Sequence, residues 1–195
     1  MTLYGAPIYM LKNTGRTQTR LSFKLVPRTD IAYIPAENGD EFSAREAIVY
    51  LGAKDSITIP NLSQDECVFS GLVPNSPYWL GALVKYSDGY EMRIRYDENI
   101  TTQGTNPKIS AAASSPTVVK FTGRFTLIDA HISEILINGQ SVNPDLAINV
   151  GDDNYEISIQ ETGLTANAEN LGSMIVKTKE GSTETGSVSF VPPRP

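Results

Sequence analysis

Cysteine, histidine and tryptophan are nearly missing from this sequence. Its 195 residues include one cysteine, Cys67, one histidine, His131, and one tryptophan, Trp79. A single cysteine excludes an internal disulfide. Cys67 lies in an alternating run with no histidine beside it, the setting of a buried thiol rather than a reactive one. A zinc site needs clustered histidines and cysteines, and one of each does not make one. A Ser-His-Asp triad needs its histidine held between a nucleophile and an acid. His131 stands between Ala130 and Ile132 at the start of a strand, where a surface or loop-anchoring role is expected. Neither G-x-x-x-x-G-K-[ST] nor G-x-G-x-x-G occurs, so the fingerprints of phosphate-cradling loops are absent. The sequence therefore nominates no catalytic residue, no cofactor site and no metal site.

Long apolar runs are also lacking. No stretch approaches the ~20 residues of a membrane-spanning helix, so no membrane insertion is expected. The formal charge is −6, from 16 basic and 22 acidic side chains, and no long basic run breaks that balance. Nucleic acid would be repelled and is not an expected partner. The first residues, MTLYGAPIYMLKNTGR, lack a basic stretch followed by an apolar run and a small-residue cleavage site. They read as the start of a chain made in the cytosol rather than a secretory signal. Two acid pairs, Asp40-Glu41 and Asp152-Asp153, each follow a glycine. They could help ligate calcium, but without a spaced D-x-D-x-D-G ladder they read as solvated turns.

What the chain does have is a succession of short alternating runs separated by Gly, Pro, Asn and Asp, with no convincing helical stripe. Strands are expected at 7–11, 19–26, 31–35, 47–51, 56–59, 66–72, 78–86 and 90–96. The second half adds 108–112, 117–121, 132–137, 147–150, 155–160, 173–178 and 187–191. Leu21, Phe23 and Leu25 alternate inward. So do Ile135 with Ile137 and Ile157 with Ile159. Ser87-Asp88-Gly89 and Glu180-Gly181-Ser182 are expected reversals. Asn138-Gly139 is a stronger one, because both residues tolerate the positive φ of a type I′ hairpin. The polar run Thr101–Pro107 reads as a linker between two units of sandwich size.

The stretch 71–89, GLVPNSPYWLGALVKYSDG, carries the sharpest local signal. Leu72 closes a strand, Pro74 to Pro77 make a corner, and Tyr78 follows it, where its hydroxyl could pin the crossover. This stretch resembles the E–F corner and F strand of a fibronectin type III domain. The usual B-strand tryptophan is replaced by Phe23, which can fill the same core. Val119–Gly123, Ile132–Val142, Asp153–Ile159 and Gly172–Phe190 resemble an IPT/TIG-like immunoglobulin domain. The resemblances imply an all-β chain of two tandem antiparallel β-sandwiches, fibronectin type III-like over 1–104 and immunoglobulin-like over 105–195. Such domains usually bind, space or decorate.

If Tyr78, Leu80, Ala82 and Val84 face inward, Trp79, Gly81, Leu83 and Lys85 face outward. Trp79 and Leu83 are then candidate interface residues, unless Arg93 or Arg95 stacks over the indole. Leu3, Tyr4, Ile8 and Tyr9 form a second candidate, either an ordinary first strand or an arm that joins a neighbour's sheet edge. The paired-sandwich layout resembles accessory proteins of bacteriophage virions, such as capsid decoration, head-fibre or tail-associated proteins. That resemblance implies a non-enzymatic protein of the virion, with capsid or tail subunits as partners and host-surface glycans as a second target. The alternative is an extracellular carbohydrate-binding or adhesion module, with Trp79, Tyr86, Tyr90 or Tyr96 stacking on sugars.

Overall fold

The computed structural model describes residues 3–4, 8–30, 33–34, 44–52, 55–60, 62, 65–87, 89–96, 99–164 and 166–193, with backbone alone at 3–4 and 33–34. Contacts divide the chain into two compact units, 1–71 with 77–102, and 72–76 with 103–195. The cut expected after residue 104 falls beside that division, and the corner Leu72–Ser76 groups with the second unit. Among the described residues the only helical element is a single 3-10 turn, Pro144–Leu146. No helix there is long and apolar enough to cross a membrane.

In the first unit, β1 (Leu3–Tyr4) pairs in parallel with β4 (Tyr33–Ile34). β2 (Tyr9–Arg16), β3 (Leu21–Pro27) and β7 (Cys67–Phe69) form a three-stranded sheet in that order. β5 (Ala44–Leu51), β6 (Asp55–Ile59), β9 (Leu80–Tyr86) and β10 (Glu91–Arg95) form a four-stranded one, ordered β10-β9-β5-β6. β8 (Pro77–Tyr78) pairs with β11 (Ile100–Thr101). Lettered in chain order this is A-B-E against G-F-C-C′, the fibronectin type III arrangement. Alternation builds its core: Leu21, Phe23 and Leu25 from one sheet, and Val49, Leu80, Ala82 and Val84 from the other, are all buried. Phe23 is fully buried and meets Phe69 edge-on, with ring centroids 6.5 Å apart. It occupies the core in place of tryptophan, as the pattern requires.

In the second unit, β12 (Lys108–Ser115), β13 (Val118–Thr126), β17 (Asn154–Thr162) and β16 (Ile148–Gly151) form one sheet in that order. β15 (Gln140–Val142), β14 (Ile132–Ile137), β18 (Asn170–Thr178) and β19 (Thr183–Phe190) form the other. A-B-E-D against C′-C-F-G is an immunoglobulin-type order. The core runs through Val119, Phe121, Ile135, Ile137, Ile157, Met174 and Val176. Asn138 at φ 50 and Gly139 at φ 79 make the expected type I′ turn from β14 to β15. Asn138 also ties three strands together. Its side-chain oxygen accepts from the Ser173 backbone N–H at 2.7 Å, and its amide donates to Glu161 at 2.9 Å. β19 begins at Thr183 rather than Ser187, because its polar first turn is held by backbone pairing with β18.

Residues 105–106 are tied to the rest of the second unit by a carboxylate and by a backbone bond from the Thr126 N–H to the Thr105 carbonyl at 2.7 Å. Glu184 on β19 accepts the backbone N–H groups of Thr105 at 2.8 Å and Asn106 at 3.2 Å. Gly104 lies against the same carboxylate, where a β-carbon would fall 2.6 Å from Oε2. The Asn75 N–H donates to the Gln103 carbonyl at 3.0 Å.

Candidate functional site

Strand register, not sequence proximity, assembles the outward face of β5, β9 and β10. Three rows cross it. Arg95, Gly81 and Tyr50 stand opposite one another in the first, Arg93, Leu83 and Ile48 in the second, and Glu91, Lys85 and Glu46 in the third. β6 extends the first two rows with Ser56 and Thr58. Lys85 donates to Glu46 at 2.7 Å, a half-buried pair that closes one end of the face. That hydrogen bond raises the Lys85 pKa above its ordinary value.

Trp79 sits at the other end, in the gap between β8 and β9, where its carbonyl accepts the Gly52 N–H at 2.7 Å. Its ring lies over Gly81. A β-carbon at Gly81 would fall 3.1 Å from Trp79 Cη2 and 3.2 Å from the Ile94 carbonyl oxygen. The missing side chain thus makes the slot in which the indole lies down, yet the residue stays 41% exposed. A groove of about 510 Å³ opens beside it, lined by Tyr50, Trp79, Gly81, Leu83, Arg93 and Arg95. Tyr50 and Leu83 are half-buried in its wall, and Arg93 and Arg95 are exposed. The groove joins a half-covered aromatic surface to two guanidinium groups.

The other candidates are more dispersed. Ile8 and Tyr9 are half-buried and belong to the chain's own first sheet: the Ile8 carbonyl accepts the Arg28 N–H at 2.7 Å, and Tyr9 pairs with Pro27. Leu3 and Tyr4 pair with Tyr33 and Ile34 through backbone. Of the tyrosines expected to stack on sugars, Tyr86 is 4% exposed, and its ring lies 5.8 Å from that of Tyr90. It continues the inward alternation of Leu80, Ala82 and Val84 and presents no stacking face. Tyr90 is exposed and Tyr96 half-buried.

His131 stands at the exposed start of β14, its Nδ1 2.8 Å from Glu180 in the β18–β19 turn. The same carboxylate accepts the His131 backbone N–H, and the Lys179 N–H donates to the His131 carbonyl. The histidine fastens a reversal, the loop-anchoring role expected of it. Burial pushes the Glu180 pKa up, but the hydrogen bonds from His131 outweigh it, and the carboxyl is held below its ordinary value. The Cys67 thiol is buried and points at the Phe23 carbonyl, and burial pushes its pKa up to about 11. Asp152 and Asp153 form the exposed β16–β17 turn with φ of 50 and 58. Asp40-Glu41 lies outside the described residues.

Trp79 and Leu83 were legible from alternation alone. Gly81 was read as facing outward by the same alternation, but Tyr50 was not singled out, because its place on the face depends on how β5 pairs with β9. A tyrosine in an alternating run that also faces outward was the only signal available.

No family model matches the chain, and no curated protein matches it. Among solved structures it is similar to the fibronectin(III)-like modules of CbhA from Clostridium thermocellum, at 12% identity over 94% of this chain and 95% of that one, with a TM-score of 0.35. It is also similar to a two-domain fibronectin type III segment of chicken tenascin, at 15% identity, 93% and 98% coverage and a TM-score of 0.39. Chitinase ChiA74 from Bacillus thuringiensis is similar at 9% identity, with 97% of this chain covering 27% of that one and a TM-score of 0.33. At such scores the assignment of fold rests on strand order: a fibronectin type III-like sandwich followed by an immunoglobulin-like one.

Proposed function

We propose that this chain is a non-catalytic accessory protein of a bacteriophage particle, a decoration, head-fibre or tail-associated component, whose contact surface is the Trp79 face of its first sandwich. The observation that carries the contact surface is the half-exposed indole laid over Gly81, with Leu83 beside it and a groove at its edge. Buried aromatic anchors dominate binding energy at interfaces, and an indole already held in place loses little conformational freedom on contact. Support for a non-catalytic role comes from His131, committed to Glu180 in a turn, and from the buried thiol of Cys67. Support for the virion setting comes from the paired-sandwich resemblance in the sequence.

Mass spectrometry of purified particles tests the setting. A fixed ratio of this chain to the major capsid or tail subunit is expected, and its absence from particles overturns the setting. The surface is tested separately by Trp79→Ala and Leu83→Ser, each with unfolding temperature checked. At least a tenfold loss of target binding is expected, and unchanged binding moves the contact elsewhere. A second reading, an extracellular carbohydrate-binding or adhesion module, is favoured by the aromatic wall that Trp79 and Tyr50 give the groove. Glycan-array binding together with absence from particles would select it.

A further inference from the structure

The groove beside Trp79 carries a charge that sets it apart from the rest of the chain. The sequence is acidic, at −6 overall, yet the rim of this groove is formed by Arg93 and Arg95. They alternate on one strand, which places their side chains on the same face about 7 Å apart at the backbone. Among the described residues neither has an ion-pair partner, whereas Lys85 one row further on is already paired to Glu46. Two guanidinium groups, without an ion pair among the described residues, beside a half-exposed indole ask for a ligand that brings both an anion and a flat apolar face. Guanidinium matches carboxylate in a two-bond fork. The faces of Trp79 and Tyr50 suit the C–H face of a ring.

Geometry narrows the choice. Tyr50 to Arg95 spans two strand spacings, about 10 Å, close to the length of two linked pyranose rings. The volume of about 510 Å³ lies in the range of small-ligand sites. The space over Gly81 is taken by the Trp79 indole, so a flat ring entering the groove meets an aromatic surface there. We infer that this groove is a binding site for an acidic saccharide, with its carboxylate held by Arg93 and Arg95 and its ring stacked on Trp79. This rests on the Trp79 face being the contact surface, but on neither setting, since a virion protein and a secreted module can both meet carboxylated glycans. Each site is shallow, so firm attachment comes from many copies on one particle or one polymer.

The test uses the full chain and a tetramer of galacturonic acid, with its methyl ester as a control that keeps the rings and removes the charges. Calorimetry is expected to show binding to the acid form and at least tenfold weaker binding to the ester. Arg93→Gln with Arg95→Gln should weaken it tenfold or more, as should Trp79→Ala, with unfolding temperatures unchanged. Raising salt from about 0.05 to 0.5 M should weaken it several-fold. Equal binding of acid and ester overturns the inference, because the arginines would then be idle. Undiminished binding by Trp79→Ala also overturns it, because the attraction would be charge alone. So does failure to bind the galacturonate tetramer, a glucuronate oligomer and a sialylated oligosaccharide. If that failure comes while Trp79→Ala still loses its target on particles, the ligand is wrong and the contact surface stands. If Trp79→Ala changes neither, both fall.

Discussion

Phe121 fills the place that Gly172 leaves empty: a β-carbon built on Gly172 would lie 2.7 Å from Phe121 Cε1. The reverse holds one pleat along, where Met174 fills the space beside Gly123 and a β-carbon there would lie 2.5 Å from Met174 Sδ. Strand β13 thus presents large then small, and β18 small then large. The two sheets of the second unit dovetail, and interiors packed this tightly have little room for an added methyl.

Gly172→Ala and Gly123→Ala are each expected to destabilise the second unit by about 1–3 kcal/mol, read from urea unfolding. Met174→Ala should recover part of the Gly123→Ala loss, with a coupling of about 0.5–3 kcal/mol in the double-mutant cycle. Strict additivity would show that the two residues do not compete for one space.

Gly186→Ala should be more damaging than either. Its β-carbon would collide with the Pro107 carbonyl group and crowd Lys108 Cα, which are backbone atoms. No side-chain substitution can relieve that clash. A midpoint equal to the parent's would mean that β12 and β19 separate freely at this point.

Acid should weaken the turn between β18 and β19. Glu180 is held below its ordinary value of 4.5, so its contribution is complete above that pH and fades as the pH falls through the lower folded-state value. Glu180→Gln should therefore be less stable than the parent at neutral pH. The gap should begin to close below about pH 4.5. A constant gap down to pH 2 would show that the charge of the carboxyl contributes nothing.

Cys67 should resist thiol reagents at pH 8. With its pKa pushed up to about 11, almost none is thiolate, and the side chain is 1% exposed. Labelling should proceed only as fast as the protein opens and should accelerate with denaturant. Rapid labelling of the folded chain would place the thiol at the surface.

Much of the fold was legible because sandwich strands write their burial as alternation. Leu21, Phe23 and Leu25 declared β3, and the bounds of β14 coincide with the expected 132–137. Where burial is slight the pattern is silent. β15 is three residues long, too short for any period to show. The first half of β19, Thr-Glu-Thr-Gly, is polar and is a strand only because β18 pairs with it. The same divide runs through the candidate site. One strand sufficed to turn Trp79 outward, but bringing Tyr50 opposite Gly81 took the register of β5 against β9. The part played by Glu184 in fixing residues 105–106 was also hidden, because it depends on a partner 78 positions away in sequence.

Neither unit is an unbroken piece of polypeptide, since 72–76 group with the later half and 77–102 return to the earlier one. A gene fragment beginning at residue 105 would encode the second sandwich without all of its parts. Shuffling one half against a foreign partner, in evolution or in the laboratory, must carry that excursion along.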